Sequence, residues 1–339
     1  MFGKSLINRL LITILASLFV VGSAQADISK RSSVKKFIDQ MVKQDKFERK
    51  DLVRLFKKIK IRKNILKAIK RPAEGKPWYK YRKIFLTDER IKGGVKFWQE
   101  NEAVLAKAEK EFGVPAEIII AIIGVETKYG NLKGGFHAAE ALATLGFGYP
   151  RRAKFFQSEL RQLLLLSREE DIDPFTIMGS YAGALGEPQF MPSSYRKYAV
   201  DFDGDKKRDL ITNSADAIAS VANYFKRHDW VTGGPVTVRA SIKGRSYKKI
   251  VKKGIRPRST VNELAKSGIR AKSKVAGDEK AALIELKQKK GHEYWLGLSN
   301  FYVITRYNHS QHYAMAVYQL SQEIAQARKL AAMADNTGK

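Results

Sequence analysis

Apolar residues recur every three to four positions through most of this chain, the spacing that lines one face of a helix, and alternate with polar ones mainly between residues 232 and 295. From Ser33 to about Lys70 the positions Phe37, Met41, Phe47, Leu52, Leu55, Phe56, Ile59, Ile65, Leu66 and Ile69 predict a short, very basic helical bundle. Arg71-Pro72-Ala73-Glu74-Gly75-Lys76-Pro77 interrupts it, and Trp78, Tyr79 and Tyr81 read as an extended or loop segment. Helical spacing resumes from Ile91 to Phe112 and again from Val114 to Gly130. The stretch from Asn131 to Pro150 is rich in glycine and small residues; a helix follows from Arg151 to Glu169, and a shorter one near Phe175 to Ala182. Gly183 to Pro192 is loop-like, and Ala215 to Arg227 is helical. Then Val236, Val238, Ala240 and Ile242 alternate, and a second strand is expected near Ala282 to Leu286. Tyr294 to Tyr307 is aromatic and β-branched, His312 to Leu330 returns to helix, and Asp335 to Lys339 should fray. The class is α+β, mainly α, with a small β-rich insertion.

One of these helices ends on a carboxylate. Counting back three, four and seven residues from Glu126 gives Ile123, Ile122 and Ile119, so Glu126 lies on an apolar stripe. Pro115 suits the first turn and Gly130 the stop. An ionised carboxylate there suffers desolvation unless something pairs with it, which raises its pKa toward what a general acid needs. The same spacing suits a buried glutamate satisfied by an arginine or a helix N-terminus.

The first residues change the picture of where the protein works. Lys4 and Arg9 precede an apolar run from Leu10 to Val21, then Gly22-Ser23-Ala24-Gln25-Ala26, the three-part pattern of a cleaved secretory signal. The run is short for a membrane span, although an uncleaved anchor has the same start. Export to the periplasm, with no stable membrane insertion after cleavage, is the expectation. With no cysteine, the chain has no disulfide, thiolate zinc site, cysteine nucleophile or lipid-modified cysteine. The remaining 313 residues suffice for about two domains. Net charge is +29, or +27 without Lys4 and Arg9. In an exported protein such charge points away from nucleic acid and toward anionic envelope polymers, peptidoglycan among them, or membrane surfaces. It is equally the charge of a solvated surface.

Three further segments carry candidate chemistry. Asp201, Asp203 and Asp205 fall at positions one, three and five of an EF-hand loop, with the Lys207 carbonyl at seven. Position six is Lys206 instead of glycine and position twelve is Thr212, so Asp216 at the next helix start is the residue available to close the site. A plain acidic turn capping the Ala215 helix is the alternative. In Gly183 to Ser194, Gln189, Phe190 and Met191 combine hydrogen-bonding and aromatic groups that suit a sugar, though Phe190 and Met191 also suit a core. Arg306-Tyr307-Asn308-His309 has the same mixed character.

Gly124-Val125-Glu126-Thr127, Tyr149-Pro150-Arg151-Arg152, Gln189-Phe190-Met191-Pro192-Ser193-Ser194, the Asp201 loop, Ser220-Val221-Ala222-Asn223-Tyr224-Phe225 and Arg306-Tyr307-Asn308-His309 occur in this order. Together they closely resemble the lytic murein transglycosylase B family, over roughly Tyr79 to Tyr318. The resemblance implies a lysozyme-like catalytic core with an added helical domain, the β-rich insertion and an EF-hand-like loop. The expected division is a signal peptide at 1–26, an N-terminal helical region at 27–78, the core with its helical subdomain and metal loop at 79–231, a β-rich domain at 232–295, a segment returning to the core at 296–330 and a tail at 331–339. The implied reaction cleaves the MurNAc–GlcNAc β-1,4 bond of peptidoglycan without water, leaving a 1,6-anhydromuramoyl end.

Carried over by position, the resemblance makes Glu126 the acid and then the base. Tyr81, Gln189, Phe190, Met191, Tyr224, Tyr307 and Asn308 would line the cleft, and Arg151 and Arg152 would meet saccharide or peptide groups. Phe155 stands where the family has a cleft tyrosine, keeping the ring and losing the hydroxyl. Glu187 adds a carboxylate that the family does not require. No organic cofactor is implied, a structural calcium is the candidate ion, and glycan strands, with cell-wall synthesis or hydrolysis enzymes, are the expected partners. Two rivals remain: a hydrolytic muramidase using Glu187 as its second carboxylate, and a noncatalytic murein-binding protein.

Overall fold

A computed structural model describes residues 27–70 and 75–337, with backbone alone for 335–337. The proposed signal segment, part of the Arg71–Pro77 interruption and the last two residues lie outside the described residues. Helix α1 (Ser32–Asp45), α2 (Arg49–Lys58) and α3 (Lys63–Ala68) form the basic N-terminal group. Phe37 and Phe56 meet Phe147 in three edge-to-face contacts of 5.8 Å, the arrangement that aromatic quadrupoles favour.

Trp78 to Phe85 is a helix, α4, where the sequence suggested an extended segment. Pro77 sits at the N-cap, outside the turn it would disrupt, and Trp78, Tyr81 and Phe85 then share one face by i, i+3, i+7 spacing. The expected long helix through Phe112 is two, α5 (Asp88–Glu100) and α6 (Glu102–Phe112). Asn101 breaks them, its side-chain amide donating to the Phe97 carbonyl at 2.9 Å. Helix α7 (Ala116–Thr127) follows, and it is central: Ile118 through Val125 are all buried, against α5, α6 and two later helices, Ser214–Lys226 and Gln311–Thr337. A helix apolar all round belongs in a core, so the Ile119–Ile122–Ile123 stripe is one face of several.

The glycine-rich stretch contains a two-residue strand β1 (Phe136–His137) and a helix α8 (Ala138–Gly148) buried from Ala138 to Gly146. Its small side chains let α9 (Ala153–Glu169) approach closely; a Cβ on Gly146 would lie 3.2 Å from Gln157. The expected helix near Phe175 to Ala182 is instead a turn, in which Asp173 accepts from the Phe175 N–H at 2.9 Å, leading to strand β2 (Met178–Gly179), paired with β1. Helix α10 (Pro192–Tyr198) and α11 (Ser214–Lys226) flank the acidic loop.

The insertion comprises β3 (Thr237–Ile242), α12 (Tyr247–Val251), β4 (Ser259–Thr260), α13 (Val261–Lys266), β5 (Ile269–Ala271), β6 (Lys280–Lys287) and β7 (His292–Gly297), with an antiparallel sheet ordered β4-β6-β7-β3-β5. Strand β6 serves two cores. Ala281 and Leu283 join a small core with Leu264, Ile269 and Leu296, whereas Ala282, Ile284 and Leu286 join the main core. That split is the period-two alternation of a strand. Helix α14 (Ser299–Tyr307) and α15 (Gln311–Thr337) close the chain; α15 remains helical through Thr337, past the expected fraying point.

Candidate active site

Helix α7 stops one residue after Glu126. Thr127 is its last residue, and Lys128, Tyr129 and Gly130 all take left-handed backbone, with φ of 49°, 61° and 81°. The stop thus comes before Gly130, and two non-glycine residues bear strain of roughly 1 kcal/mol each. Several contacts enforce it. The Tyr129 hydroxyl donates to the Arg90 carbonyl at 2.5 Å, its ring packs 5.6 Å from Phe97, and the Gly130 N–H donates to Thr127 Oγ1 at 3.0 Å. Gly124 makes room, because a Cβ there would lie 2.6 Å from the Tyr129 hydroxyl. Buried Arg90 donates to the Gly124 carbonyl at 2.6 Å, placing a cation at the negative end of the helix.

Glu126 is half-buried, and the hydroxyl of Tyr313 donates to its Oε1 at 2.5 Å. Tyr313 comes from α15, which packs along α7. Burial first, and then the negative charge of Glu126, push the Tyr313 phenol well above its ordinary value. Tyr313 therefore stays protonated and acts toward Glu126 as a donor. Tyr307 lies parallel to it, with ring centres 6.4 Å apart and 10° between planes, and is pushed up by the same two causes.

Around this pair the structure assembles part of the expected residue set. Tyr307 donates to the Pro188 carbonyl at 2.5 Å and packs against Phe190 at 5.7 Å and Tyr224 at 5.0 Å. Tyr224 donates to the Arg306 carbonyl at 2.7 Å. Phe190 is 2 % exposed, so its role is to build the wall rather than to present a ring face. Tyr81 is also buried, against Trp78, Phe85 and His312. Gln189 takes φ of 50° and its amide donates to the Gly186 and Lys133 carbonyls at 2.9 and 3.2 Å. Met191 caps α10 and Asn308 ends α14, both half-buried. Arg151, Arg152 and Phe155 stand exposed around the start of α9, with the Arg152 guanidinium 4.2 Å from the Phe155 ring centre.

Glu187 is placed differently from a cleft acid. It is buried, its Oε1 accepts from Ser214 at 3.1 Å and lies 3.8 Å from Lys133 Nζ, and burial pushes its carboxyl up. Its surroundings are the acidic loop's far end on one side and the turn that ends α7 on the other.

In that loop, carboxylate oxygens of Asp201, Asp203 and Asp216 lie within 4.8 Å of one another. Backbone donors aim each of them: Gly204 and Lys206 toward Asp201 at 2.7 and 2.8 Å, Asp205 toward Asp203 at 3.2 Å, Phe202 and Asp209 toward Asp216 at 2.7 and 2.8 Å. Lys206 adopts φ of 72° despite its side chain. Asp205 stands outside the trio, accepting from the Lys207 N–H at 2.8 Å. Burial first, and then the charges of Asp203 and Asp201, push the Asp216 carboxyl up, and this oxygen set fits a hard divalent ion.

Sequence reasoning passed over Tyr313 and His228. Tyr313 shares the buried stripe Tyr313–Val317–Leu320–Ile324, and a lone hydroxyl on such a stripe signals an acceptor elsewhere. His228 stacks on Tyr224 at 4.0 Å, with Nδ1 2.7 Å from the Tyr224 carbonyl, so the Nδ1–H tautomer donates. Burial, the largest cause, lowers its pKa from 6.5. The unfolded chain then takes up the proton first, and stability is lost as pH falls from 6.5 through the lower folded value. His228→Gln should flatten the melting temperature against pH in that window.

The family model for the transglycosylase SLT domain matches residues 29–322 of the chain. The membrane-bound lytic murein transglycosylase B of Escherichia coli (strain K12) is 43% identical over 312 residues, 89% of this chain and 85% of that protein. The lytic transglycosylase SltB1 of Pseudomonas aeruginosa superposes with a TM-score of 0.85 at 50% identity, over 89% of this chain and 100% of that one. The Escherichia coli lytic transglycosylase SLT35 in complex with calcium gives 0.82 at 42% identity, over 89% and 96%. With the family's mainly helical, lysozyme-like fold on both sides of the comparison, this chain belongs to the SLT-domain family of lytic murein transglycosylases.

Proposed function

We propose that Glu126 carries both proton transfers in cleavage of the MurNAc–GlcNAc β-1,4 bond of peptidoglycan. As an acid it gives its proton to the glycosidic oxygen while the bond from that oxygen to C1 of MurNAc breaks. The 2-acetamido group of MurNAc steadies the developing cation. Glu126, now a carboxylate, takes the proton of the C6 hydroxyl as that oxygen bonds to C1. Nothing is gained or lost from water, and the enzyme returns to its starting protonation state.

The observation supporting this reading is a single half-buried carboxylate, Glu126, on a fixed helix end, with Tyr313 donating to one oxygen and the aromatic wall of Tyr307, Tyr224 and Phe190 beside it. A two-carboxylate hydrolase needs a second acid facing the sugar; Glu187 is turned toward Ser214 and Lys133 instead. An attacking hydroxyl already on the substrate has an entropic advantage over water worth several kcal/mol. Fragments released from purified sacculi should therefore carry 1,6-anhydro ends, lighter by one water than muramidase products, and Glu187→Gln should leave that outcome unchanged. Reducing ends as the main product on mass spectrometry would reject the reading in favour of hydrolysis.

We also infer that the Asp201–Asp203–Asp216 cluster holds calcium as a structural ion, supported by the oxygen geometry and by the calcium complex of SLT35. Held by Asp201, Asp203 and Asp216, the ion would supply positive charge that offsets their mutual repulsion. A ligand confined to the folded state at a hundred times its Kd stabilises by about 2.7 kcal/mol. Calcium should raise the melting temperature by several degrees, and Asp201→Ala combined with Asp216→Ala should remove the rise. Export to the periplasm rests on the first 26 residues and on the basic surface; among the described residues no helix is long and apolar enough to cross a membrane. The division into N-terminal helical region, core, β-rich domain and returning segment is part of the same proposal, supported by the separate small core under β6.

A further inference from the structure

A buried acid that the glycosidic chemistry leaves unused ties three segments together. Glu187 is 5 % exposed, and its Oε2 is buried without a hydrogen-bond partner among the described residues. Its main chain is as engaged as its side chain. The N–H donates to the Leu210 carbonyl at 2.8 Å, and the carbonyl accepts from Oγ1 of Thr127, the residue after Glu126, at 2.9 Å. Lys133, its ion-pair partner, donates to the Ile211 carbonyl at 2.8 Å and accepts from the Gln189 amide at 3.2 Å. On the acidic-loop side, Ser214 adjoins Asn213, whose amide donates to Asp203 Oδ2 at 2.7 Å, and lies two residues before Asp216.

We propose that Glu187 is a positioning residue, through which a divalent cation in the acidic loop sets the placement of Glu126. The proposal rests on the reading of Glu126 given above. A cation drawing Asp203 and Asp216 together fixes the Asn213–Ser214 turn between them, and Ser214 in turn fixes the Glu187 carboxylate. The Glu187 carbonyl then holds Thr127, and with it the strained turn that ends α7. The linkage has little slack: a Cβ on Gly130 would lie 2.9 Å from Glu187 Oε1. Close-packed interiors transmit displacement instead of absorbing it. Ser214 Oγ and Lys133 Nζ both reach Oε1 of Glu187, so the side chain is held from two sides, as a strut must be. Glu187 is thus a catalytic bystander that governs geometry, and the carboxylate that could have marked a hydrolase has a different task.

Calcium is the probe, with kcat on purified glycan strands and melting temperature as the two readouts. In the protein with its native sequence, chelation should lower kcat roughly tenfold well below the melting temperature, since a 1 Å misplacement can cost about a hundredfold. Ser214→Ala and Glu187→Ala leave Glu126, Asp201, Asp203 and Asp216 in place. Both should keep the calcium-induced rise in melting temperature while their kcat no longer responds to chelation. Ser214→Ala removes one half-buried hydroxyl and decides the matter alone if Glu187→Ala, which strands Lys133, does not fold. The proposal is overturned by a native kcat indifferent to chelation, or by variants whose kcat falls as far as the native one. Loss of the melting shift in a folded variant also overturns it, because that is a broken metal site rather than a severed link. Failure of the Glu126 assignment reads separately, as activity retained in Glu126→Gln.

Discussion

Glu126→Gln should fold with an unchanged circular dichroism spectrum and lose at least about a thousandfold in kcat on murein, within the range general acid–base catalysis contributes. The amide keeps the shape of the side chain and keeps an oxygen that can accept from Tyr313. What it cannot do is release a proton to the glycosidic oxygen or collect one from the C6 hydroxyl. Both halves of the reaction pass through this one group, so no second residue shares the loss. Release of soluble fragments from sacculi at near-native rate by a folded Glu126→Gln protein would sink the assignment.

How much of this was visible in the sequence differs from element to element. Helix α7 was legible because its apolar residues form an uninterrupted core segment, although its burial on all sides makes the isoleucine stripe a weaker clue to Glu126 than the count suggests. The β-rich insertion was legible from alternation, and β6 shows why: its two faces enter two different cores. Trp78 to Phe85 was misread because Pro77 looks like a breaker from sequence and is a cap in the fold. Helix α8 was hidden by small residues that serve close packing against α9. Tyr313 was out of reach for a different reason. It is 187 positions from Glu126, and only the antiparallel or parallel placement of two core helices, which no local pattern specifies, brings its hydroxyl to the carboxylate. In the acidic loop, Lys206 counted against a metal site by residue type, yet its backbone takes the left-handed turn that glycine would supply.

Tyr313→Phe tests whether that distant contact matters to the chemistry. The ring is 3 % exposed and lies parallel to Tyr307, so phenylalanine preserves the packing and removes the hydroxyl alone. A hydrogen bond to a charged group contributes about 1.5 to 3 kcal/mol, and each 1.4 kcal/mol is about tenfold in rate. kcat should fall about ten- to a hundredfold if most of that energy serves to hold Glu126 in its working orientation. KM should change by less than about twofold, because the hydroxyl faces the catalytic carboxylate and an interaction felt only in the transition state lowers kcat alone. A purely structural tyrosine would instead lower the melting temperature and leave kcat as it was. The combination with Glu126→Gln separates the two more sharply. If Tyr313 acts through Glu126, adding Tyr313→Phe to Glu126→Gln should cause no further loss, since the group it orients no longer transfers a proton. Losses that multiply in the double variant would show that Tyr313 meets the substrate on its own account.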